Sequence, residues 1–295
     1  MKIRWEQEVP SERNDILMVK ILTDSSCDLS PRRCEELGVE MLPITVNFSG
    51  ESFRANIDIT NDQFYEKLAA AEELPKTAQI TPADFEKIFR PYKESGEEVV
   101  CLLISSRMSG TLQSATVAKD ILGAANIYLP DTLNVTFALG LLVEEAVKMR
   151  DRGLSAAEIT KQIEGLVPRV RLFALVDEMK YLKMGGRLSP TAATVATILG
   201  ICPIITLKDG LVEVAGKARG KKAAFQTIRK LVEKEPISAD YGVTVGHAAV
   251  PGTRDDFLEF MDDLLKKREV YKLDIGSIVG THTGPGACGL AYIKK

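Results

Sequence analysis

The side chains best suited to chemistry in this chain are small hydroxyls, which cluster in three short segments, and one histidine in a glycine-rich segment. The hydroxyl segments span residues 23–26, 77–81 and 105–111, and the histidine segment spans 280–289. Hydroxyl groups and one imidazole can hydrogen-bond a carboxylate without a formal cation. Glycines let the backbone approach a ligand closely. We therefore expect these segments to form a site for a carboxylate or a phosphate.

The segment 99–115, which reads VVCLLISSRMSGTLQSA, combines these features most clearly. Its first six residues are apolar and have the length of a buried strand, and its last residues are typical of a helix. A strand that passes through a hydroxyl-rich turn into a helix presents backbone N–H groups at the helix N-terminus, where an anion binds well. The alternative is that these hydroxyls only cap the helix.

Sequence motifs for nucleotide, cofactor or metal chemistry are missing. The chain has no Walker loop, no G-x-G-x-x-G, no G-x-S-x-G and no H-E-x-x-H. Its five cysteines form no C-x-x-C pair, which argues against a structural zinc site and favours a reducing compartment. Asp24 has no second acid suited to share a metal, so a loop-bracing role fits it better. Gly185-Gly186-Arg187 fits either a phosphate-binding turn or the end of a helix. We expect no metal and no cofactor.

The composition is that of a soluble globular protein. Hydrophobic residues make up 45% and charged residues 27% of the 295 residues, and the net charge is −3, which offers no basic face for nucleic acid. The longest apolar stretch, 192–207, is interrupted by Pro203 and is shorter than the ~18 residues of a spanning helix. The first residues are charged and do not resemble a signal peptide. We expect a cytoplasmic protein that neither binds nucleic acid nor inserts stably into a membrane.

Alternating strands and helices predict an α/β protein with two domains. After a lead-in over 1–17, residues 18–167 form successive strand–helix units, which predict an N-terminal parallel sheet between layers of helices. Residues 168–295 contain two strands joined by a Lys208-Asp209-Gly210 turn among helices, which predicts a C-terminal mixed-sheet α/β domain. Within these domains we expect one strand over 39–46, a last strand near 273–279 and then a glycine-rich loop.

Six motifs occur in order from about residue 20 onward: T-D-S-S-C-D-L-S, T-A-Q-I-T-P-A-D-F, S-S-R-M-S-G-T-L-Q-S-A, Y-L-K-M-G-G-R-L-S, K-A-R-G-K-K-A and G-T-H-T-G-P-G-A. Together they resemble the successive signatures of the DegV family of bacterial fatty-acid-binding proteins. The resemblance implies that a long-chain fatty acid (C14–C18) lies in the cleft between two α/β domains. It also implies a non-catalytic carrier that presents the carboxylate to a separate ATP-dependent fatty acid kinase subunit.

The resemblance assigns the fatty-acid carboxylate to three side chains, those of Thr77, Ser109 and His282. Gly110, Thr111 and Thr283 are further candidates for contact with the head group. The resemblance also implies that Arg219 contacts the kinase partner. The chain departs from the family pattern at Ala55, Asn56, Ala78, Ile80 and the pair Asp131-Thr132. These departures leave the shape of the pocket and the preferred length of the acyl chain open.

The acyl tail requires an apolar slot, for which the candidates are Met184, Val195, Ile198, Leu199, Ile201 and Ile204. The alternative for these residues is ordinary core packing, because apolar residues at helical spacing usually face a core. Two other functions stay open from the sequence. One is a small-molecule phosphotransferase or another enzyme that uses the hydroxyl-lined cleft, and the other is a regulatory binding module.

Overall fold

The computed structural model describes residues 19–193 and 200–295. Its N-terminal half contains a four-stranded parallel sheet. The strands are β1 (Lys20–Asp24), β2 (Val39–Leu42), β6 (Val99–Leu102) and β7 (Ile127–Tyr128). Their order in the sheet is β2-β1-β6-β7. Strand β6 is buried at every position, as expected for a parallel strand with helices on both faces.

The helices of this half begin where the sequence places capping residues. The side chains of Ser30, Thr60, Thr81 and Ser155 each accept a hydrogen bond from the backbone N–H three residues further on, as N-cap residues do. The helices are α1 (Pro31–Leu37), α2 (Asn61–Ala70), α3 (Pro82–Ser95), α4 (Thr111–Leu122), α5 (Thr136–Asp151) and α6 (Ala156–Leu166).

A small antiparallel sheet stands beside the parallel one and was not predicted. It consists of β3 (Thr45–Phe48), β4 (Glu51–Arg54) and β5 (Lys76–Ala78), in the order β4-β3-β5. The prediction of one strand over 39–46 is wrong, because the chain leaves the parallel sheet after β2. Pro43, which has no N–H for a ladder, lies at the break.

A six-stranded mixed sheet forms the second half, in the order β10-β9-β8-β13-β11-β12. Its strands are β8 (Val170–Leu175), β9 (Ile201–Lys208), β10 (Leu211–Arg219), β11 (Val243–His247), β12 (Val270–Asp274) and β13 (Cys288–Ile293). Strands β9 and β10 form the predicted hairpin, whose turn residues Asp209 and Gly210 both have positive φ. The predicted fold class, a parallel sheet followed by a mixed sheet, is confirmed.

Helices flank this second sheet. They are α7 (Met179–Gly185), α8 (Pro190–Ala193), α9 (Lys221–Lys234), α10 (Pro251–Phe260), α11 (Asp262–Leu265) and α12 (Ser277–Thr283). Nowhere in the two described ranges is there a helix with the length and apolar character needed to cross a bilayer.

Helix α12 corrects the prediction for the end of the chain. A strand was expected near 273–279 and a loop after it, but β12 ends at Asp274 and α12 follows. Tertiary packing explains this helix despite its glycine, since a Cβ on Gly280 would lie within 2.8 Å of atoms of both Phe64 and Tyr65. The strand β13, buried at all its positions, was not predicted.

The hydrophobic core joins the two halves. One cluster of buried side chains extends from Val19 to Ile293 and includes residues of every sheet, while a second packs α9 and α10 on the outer face of the six-stranded sheet. Helix α5 contacts strands of both larger sheets, and α12 contacts α2, β3 and β5. The domain boundary at 167–168 remains a proposal; the strands of the two larger sheets lie on either side of it.

Candidate functional site

A cavity of about 370 Å³ lies where the three sheets approach one another. This volume falls within the ~300–1,000 Å³ typical of small-molecule pockets. The three side chains assigned to carboxylate binding, Thr77, Ser109 and His282, all line it. The fold therefore brings together residues from the small sheet, from the turn before α4 and from α12.

Thr77 and His282 are hydrogen-bonded across the cavity wall. Thr77 lies on β5, paired with Val46 of β3, and His282 lies on the last turn of α12. Thr77 Oγ1 is 3.1 Å from His282 Nε2. His282 Nδ1 is buried and has no hydrogen-bond partner among the described residues. One ring nitrogen is therefore held by Thr77, and the other is enclosed next to Gly185.

The environment of His282 keeps its imidazole neutral. Burial, and to a smaller extent the positive charge of Arg187, lowers the pKa of His282 to about 4. A neutral imidazole has one N–H donor and one acceptor nitrogen. A bound carboxylate would favour the protonated ring and raise this pKa again. The backbone also leaves little space here, because a Cβ on Gly185 would lie 2.4 Å from His282 Nδ1.

Ser109 is held by the residues that begin α4. Its Oγ lies 2.9 Å from Thr111 Oγ1 and accepts a hydrogen bond from the Thr111 N–H at 3.2 Å. Gly110 is the N-cap residue and lines the cavity, whereas Thr111 is fully buried behind Ser109. The Ser109 hydroxyl thus caps the first N–H of α4, as the capping alternative expects, and Ser109 also lines the cavity.

Two cavity residues, Gln79 and Arg187, were not assigned to the site from the sequence. Gln79 Nε2 donates to Ser114 Oγ at 2.9 Å, and a Cβ on Gly110 would lie 2.1 Å from Gln79 Oε1. Arg187 donates from Nε to the Met108 carbonyl at 3.1 Å and from Nη1 to the Gly185 carbonyl. Both residues lie in motifs noted in the sequence, T-A-Q-I-T and G-G-R, which could have assigned them to the site.

The remaining head-group candidate, Thr283, lines the cavity, and its hydroxyl donates toward the Val279 and Gly284 carbonyls. Arg219 lies elsewhere, exposed at the end of β10. Asp24 braces its loop, as expected, by accepting hydrogen bonds from Ser26 and from the Ile104 N–H. No group of three or more potential metal ligands occurs in the part of the chain that the structure describes.

The apolar wall of the cavity differs from the predicted one. It is formed by Ile44, Ile104, Met108, Val135, Leu172, Leu182, Ile205, Leu207, Val212, Ile278 and Val279. Met184 is 70% exposed, so its assignment to the tail slot is wrong. Ile204 packs in the outer core with Phe173, because alternate residues of a strand face opposite sides and Ile205 takes the cavity side.

The remaining tail candidates are Ile201, Val195, Ile198 and Leu199. Ile201 begins β9, where it pairs with Arg219, and does not line the cavity. Val195, Ile198 and Leu199 lie outside the described residues.

The chain matches the DegV family, described as uncharacterised proteins, over residues 18–295. This chain belongs to the DegV family. The family prediction drawn from the six motifs is therefore confirmed. One relative, a DegV domain-containing protein of Clostridium acetobutylicum, is 35% identical over 279 residues, which cover 94% of this chain and 99% of that protein.

Solved structures of other DegV proteins share the fold. A fatty acid (stearic acid)-binding protein from Eubacterium ventriosum is 32% identical with a TM-score of 0.86, covering 94% of this chain and 99% of that one. A DegV family protein from Thermus thermophilus, described by its fatty acid binding, is 30% identical with a TM-score of 0.83 at the same coverage. DegV from Bacillus subtilis, described as a fatty acid binding protein, is 26% identical with a TM-score of 0.84, covering 95% and 100%.

Proposed function

We propose that this DegV protein binds one long-chain fatty acid (C14–C18) in the cavity between its two halves. The carboxylate lies at Thr77, Ser109 and His282, and the acyl tail lies along the apolar wall. The observation that carries this proposal is the joint presence of these three side chains and eleven apolar side chains around one cavity. The fatty-acid-binding relatives described above support it.

The head-group end suits a carboxylate because it supplies hydrogen-bond donors and the positively charged Arg187 also lines the cavity. Burying an ionised carboxylate is costly unless hydrogen bonds replace its water. The hydroxyls of Ser109 and Thr77 and the imidazole of His282 provide such bonds, and charge-assisted bonds of this kind are the stronger ones. Protonation of His282 on binding would add an ion pair, since its pKa would rise next to the carboxylate.

The tail supplies most of the affinity. Each buried methylene contributes ~0.8 kcal/mol, so a chain of about 15 methylenes contributes on the order of 12 kcal/mol before ordering costs. This exceeds the several kcal/mol lost by desolvating the head group. Affinity therefore depends mainly on the tail, whereas the hydroxyls and the imidazole fix its orientation.

The carrier role extends this proposal. The protein is non-catalytic, resides in the cytoplasm and presents the bound carboxylate to a separate ATP-dependent fatty acid kinase subunit, with Arg219 at the contact. Arg219 and the following Lys221 and Lys222 are exposed, and the five described cysteines are free thiols, which support these assignments.

Mass spectrometry of an organic extract of the purified protein tests the proposal. We expect a C14–C18 fatty acid in equimolar amount, and a higher melting temperature when oleate is added to delipidated protein. Absence of both results would refute fatty-acid binding. ATP turnover by the isolated chain would instead favour an enzyme, and kinase activity on oleate that does not require this protein would refute the carrier role.

A further inference from the structure

The 23–30 segment, T-D-S-S-C-D-L-S, contributes no residue to the cavity wall, yet its polar side chains hold several wall residues in place. Ser25 Oγ accepts a hydrogen bond from the Ile44 N–H at 2.9 Å. Asp24 Oδ2 accepts one from the Ile104 N–H at 2.7 Å. Both isoleucines line the cavity. The segment therefore acts as a frame behind the wall.

Asp28 makes the longest-range connections of this frame. Its Oδ2 accepts a hydrogen bond from Thr136 Oγ1 at 2.5 Å, and its Oδ1 accepts one from the Gly276 N–H at 2.9 Å. Thr136 lines the cavity at the start of α5. Gly276 directly precedes α12, the helix that carries Ile278, Val279 and His282 into the cavity. One buried carboxylate thus ties two cavity elements that are distant in sequence.

The backbone at both partners shows how strongly this arrangement is fixed. Asp28 has φ of 58° and Thr136 has φ of 56°, in the left-handed region. That region is unfavourable for a β-branched residue, and such conformations persist only where the surroundings hold them. The hydrogen bond between these two side chains is part of what holds them.

We propose that Asp28 is a positioning residue of the fatty-acid site, whose ionised carboxylate fixes the start of α12 and thereby the location of His282 against Thr77. This inference rests on the proposed function, because it concerns the residue that positions the carboxylate-binding imidazole. Asp28 itself touches no ligand, since it does not line the cavity.

The surroundings of Asp28 make its charge sensitive to pH. Burial raises the pKa of Asp28 to about 7, the hydrogen bonds from Thr136 and Gly276 oppose this, and the charges of Asp24 and Asp274 add to it. Other titratable or charged groups nearby are Tyr65 on α2, His247 paired with Asp274, and those around the adjacent polar cavity: Arg32, Arg33, Glu36, Glu144 and Lys272. Protonating Asp28 replaces charge-assisted hydrogen bonds with weaker neutral ones.

Oleate affinity of delipidated full-length protein at pH 8 and pH 6 tests this role. The variants are Asp28→Asn and Asp28→Ala, with Asp256→Asn on the exposed face of α10 as the matched control. At pH 8 we expect binding to weaken about fivefold in Asp28→Asn, whose amide oxygen still accepts from Gly276, and more than tenfold in Asp28→Ala. At pH 6 the wild type and Asp28→Asn should bind equally, because both are then neutral at this position.

The ratio of wild-type to Asp28→Asn affinity cancels the pH dependence of oleate itself. A ratio that is the same at both pH values, or an Asp28→Ala variant that folds and binds like wild type, would overturn the inference. The Asp28→Asn comparison decides the matter if Asp28→Ala does not fold.

A second readout needs no ligand. The chain has two histidines, so the imidazole NMR signals of His282 can be assigned with a His282→Asn variant. We expect replacement of Asp28 to raise the pKa of His282 toward its ordinary value, with no change in Asp256→Asn. Unchanged titration of His282 would refute the positioning role. Absence of oleate binding in the wild type would refute the proposed function alone.

Discussion

The buried imidazole of His282 gives the ligand-free protein a defined dependence of stability on pH. Its pKa is about 4 in the folded protein, against the ordinary 6.5. Between these values the unfolded chain binds a proton that the folded chain does not, so the free energy of unfolding falls as the pH falls. At ~1.36 kcal/mol per pH unit, a difference of about 2.5 units amounts to about 3 kcal/mol, completely lost below pH ~4.

A second buried group changes stability in the opposite direction. The pKa of Asp28 is raised to about 7, so its folded form binds a proton that the unfolded form releases, and its contribution falls as the pH rises through 7. The stability of the wild type alone therefore does not isolate His282. The useful quantity is the difference between the wild type and His282→Asn, in which the contribution of Asp28 cancels.

Urea unfolding of delipidated protein at pH 7, 6 and 5 measures this difference. We expect the free energy of unfolding of the wild type to fall by about 2 kcal/mol more than that of His282→Asn between pH 7 and pH 5. A difference that stays constant across this range would show that the folded protein protonates His282 normally, and it would refute the reasoning.

Binding of a fatty acid should reverse this behaviour. A carboxylate beside His282 raises the pKa of the ring, so binding below pH ~6.5 should take up a proton. Calorimetric titration with oleate at pH 6 in two buffers of different ionisation enthalpy measures the uptake. Wild type should show it and His282→Asn should not.

Three further substitutions test the cavity. Ser109→Ala should weaken oleate binding by about 1–3 kcal/mol, measured by calorimetry, because the carboxylate loses a buried hydrogen bond. Gly110→Ala should lower the free energy of unfolding by no more than about 1 kcal/mol, measured in urea, because its Cβ would displace only the end of the exposed Gln79 side chain and break its hydrogen bond to Ser114. Ile205→Trp should shift the co-purified lipid to shorter chains, measured by mass spectrometry, because the indole fills part of the tail space.

Controls for these substitutions come from exposed positions on the same chain. Ser52→Ala on β4 and Ile57→Trp, where the side chain is 56% exposed, should leave oleate affinity and lipid chain length unchanged. Full fatty-acid retention in Ser109→Ala would contradict the head-group assignment. An unaltered chain-length distribution in Ile205→Trp would contradict the position of the tail.

Much of the fold follows from local sequence signals. The caps at Ser30, Thr60, Thr81 and Ser155 and the hairpin turn at Asp209-Gly210 depend on neighbouring residues only, so the sequence contains the information that places them. Helix α12 does not follow from local signals. Its glycine-containing stretch packs as a helix against Phe64 and Tyr65, which lie more than 200 residues earlier in the chain.

The site divides in the same manner. The residues assigned to the head group lie in motifs whose order along the chain could be read directly. The apolar wall of the cavity could not be predicted from the sequence, because β9 carries apolar residues on both faces and both faces are covered. Alternation then separates Ile204 from Ile205 without telling which of them faces the cavity. Gln79 was not predicted as a cavity residue, because its position depends on contacts with Gly110 and Ser114 that form only when α4 packs beside it.

The position of β13 has a consequence for synthesis of the protein. This strand, residues 288–293, lies between β8 and β11 in the six-stranded sheet, so β8 has no neighbour on that side until the ribosome has made residue 293. His282 precedes β13 by only six residues, so it is also made late in synthesis. The six-stranded sheet is therefore incomplete until these residues have been made, and a fatty acid bound as proposed could be held only after that.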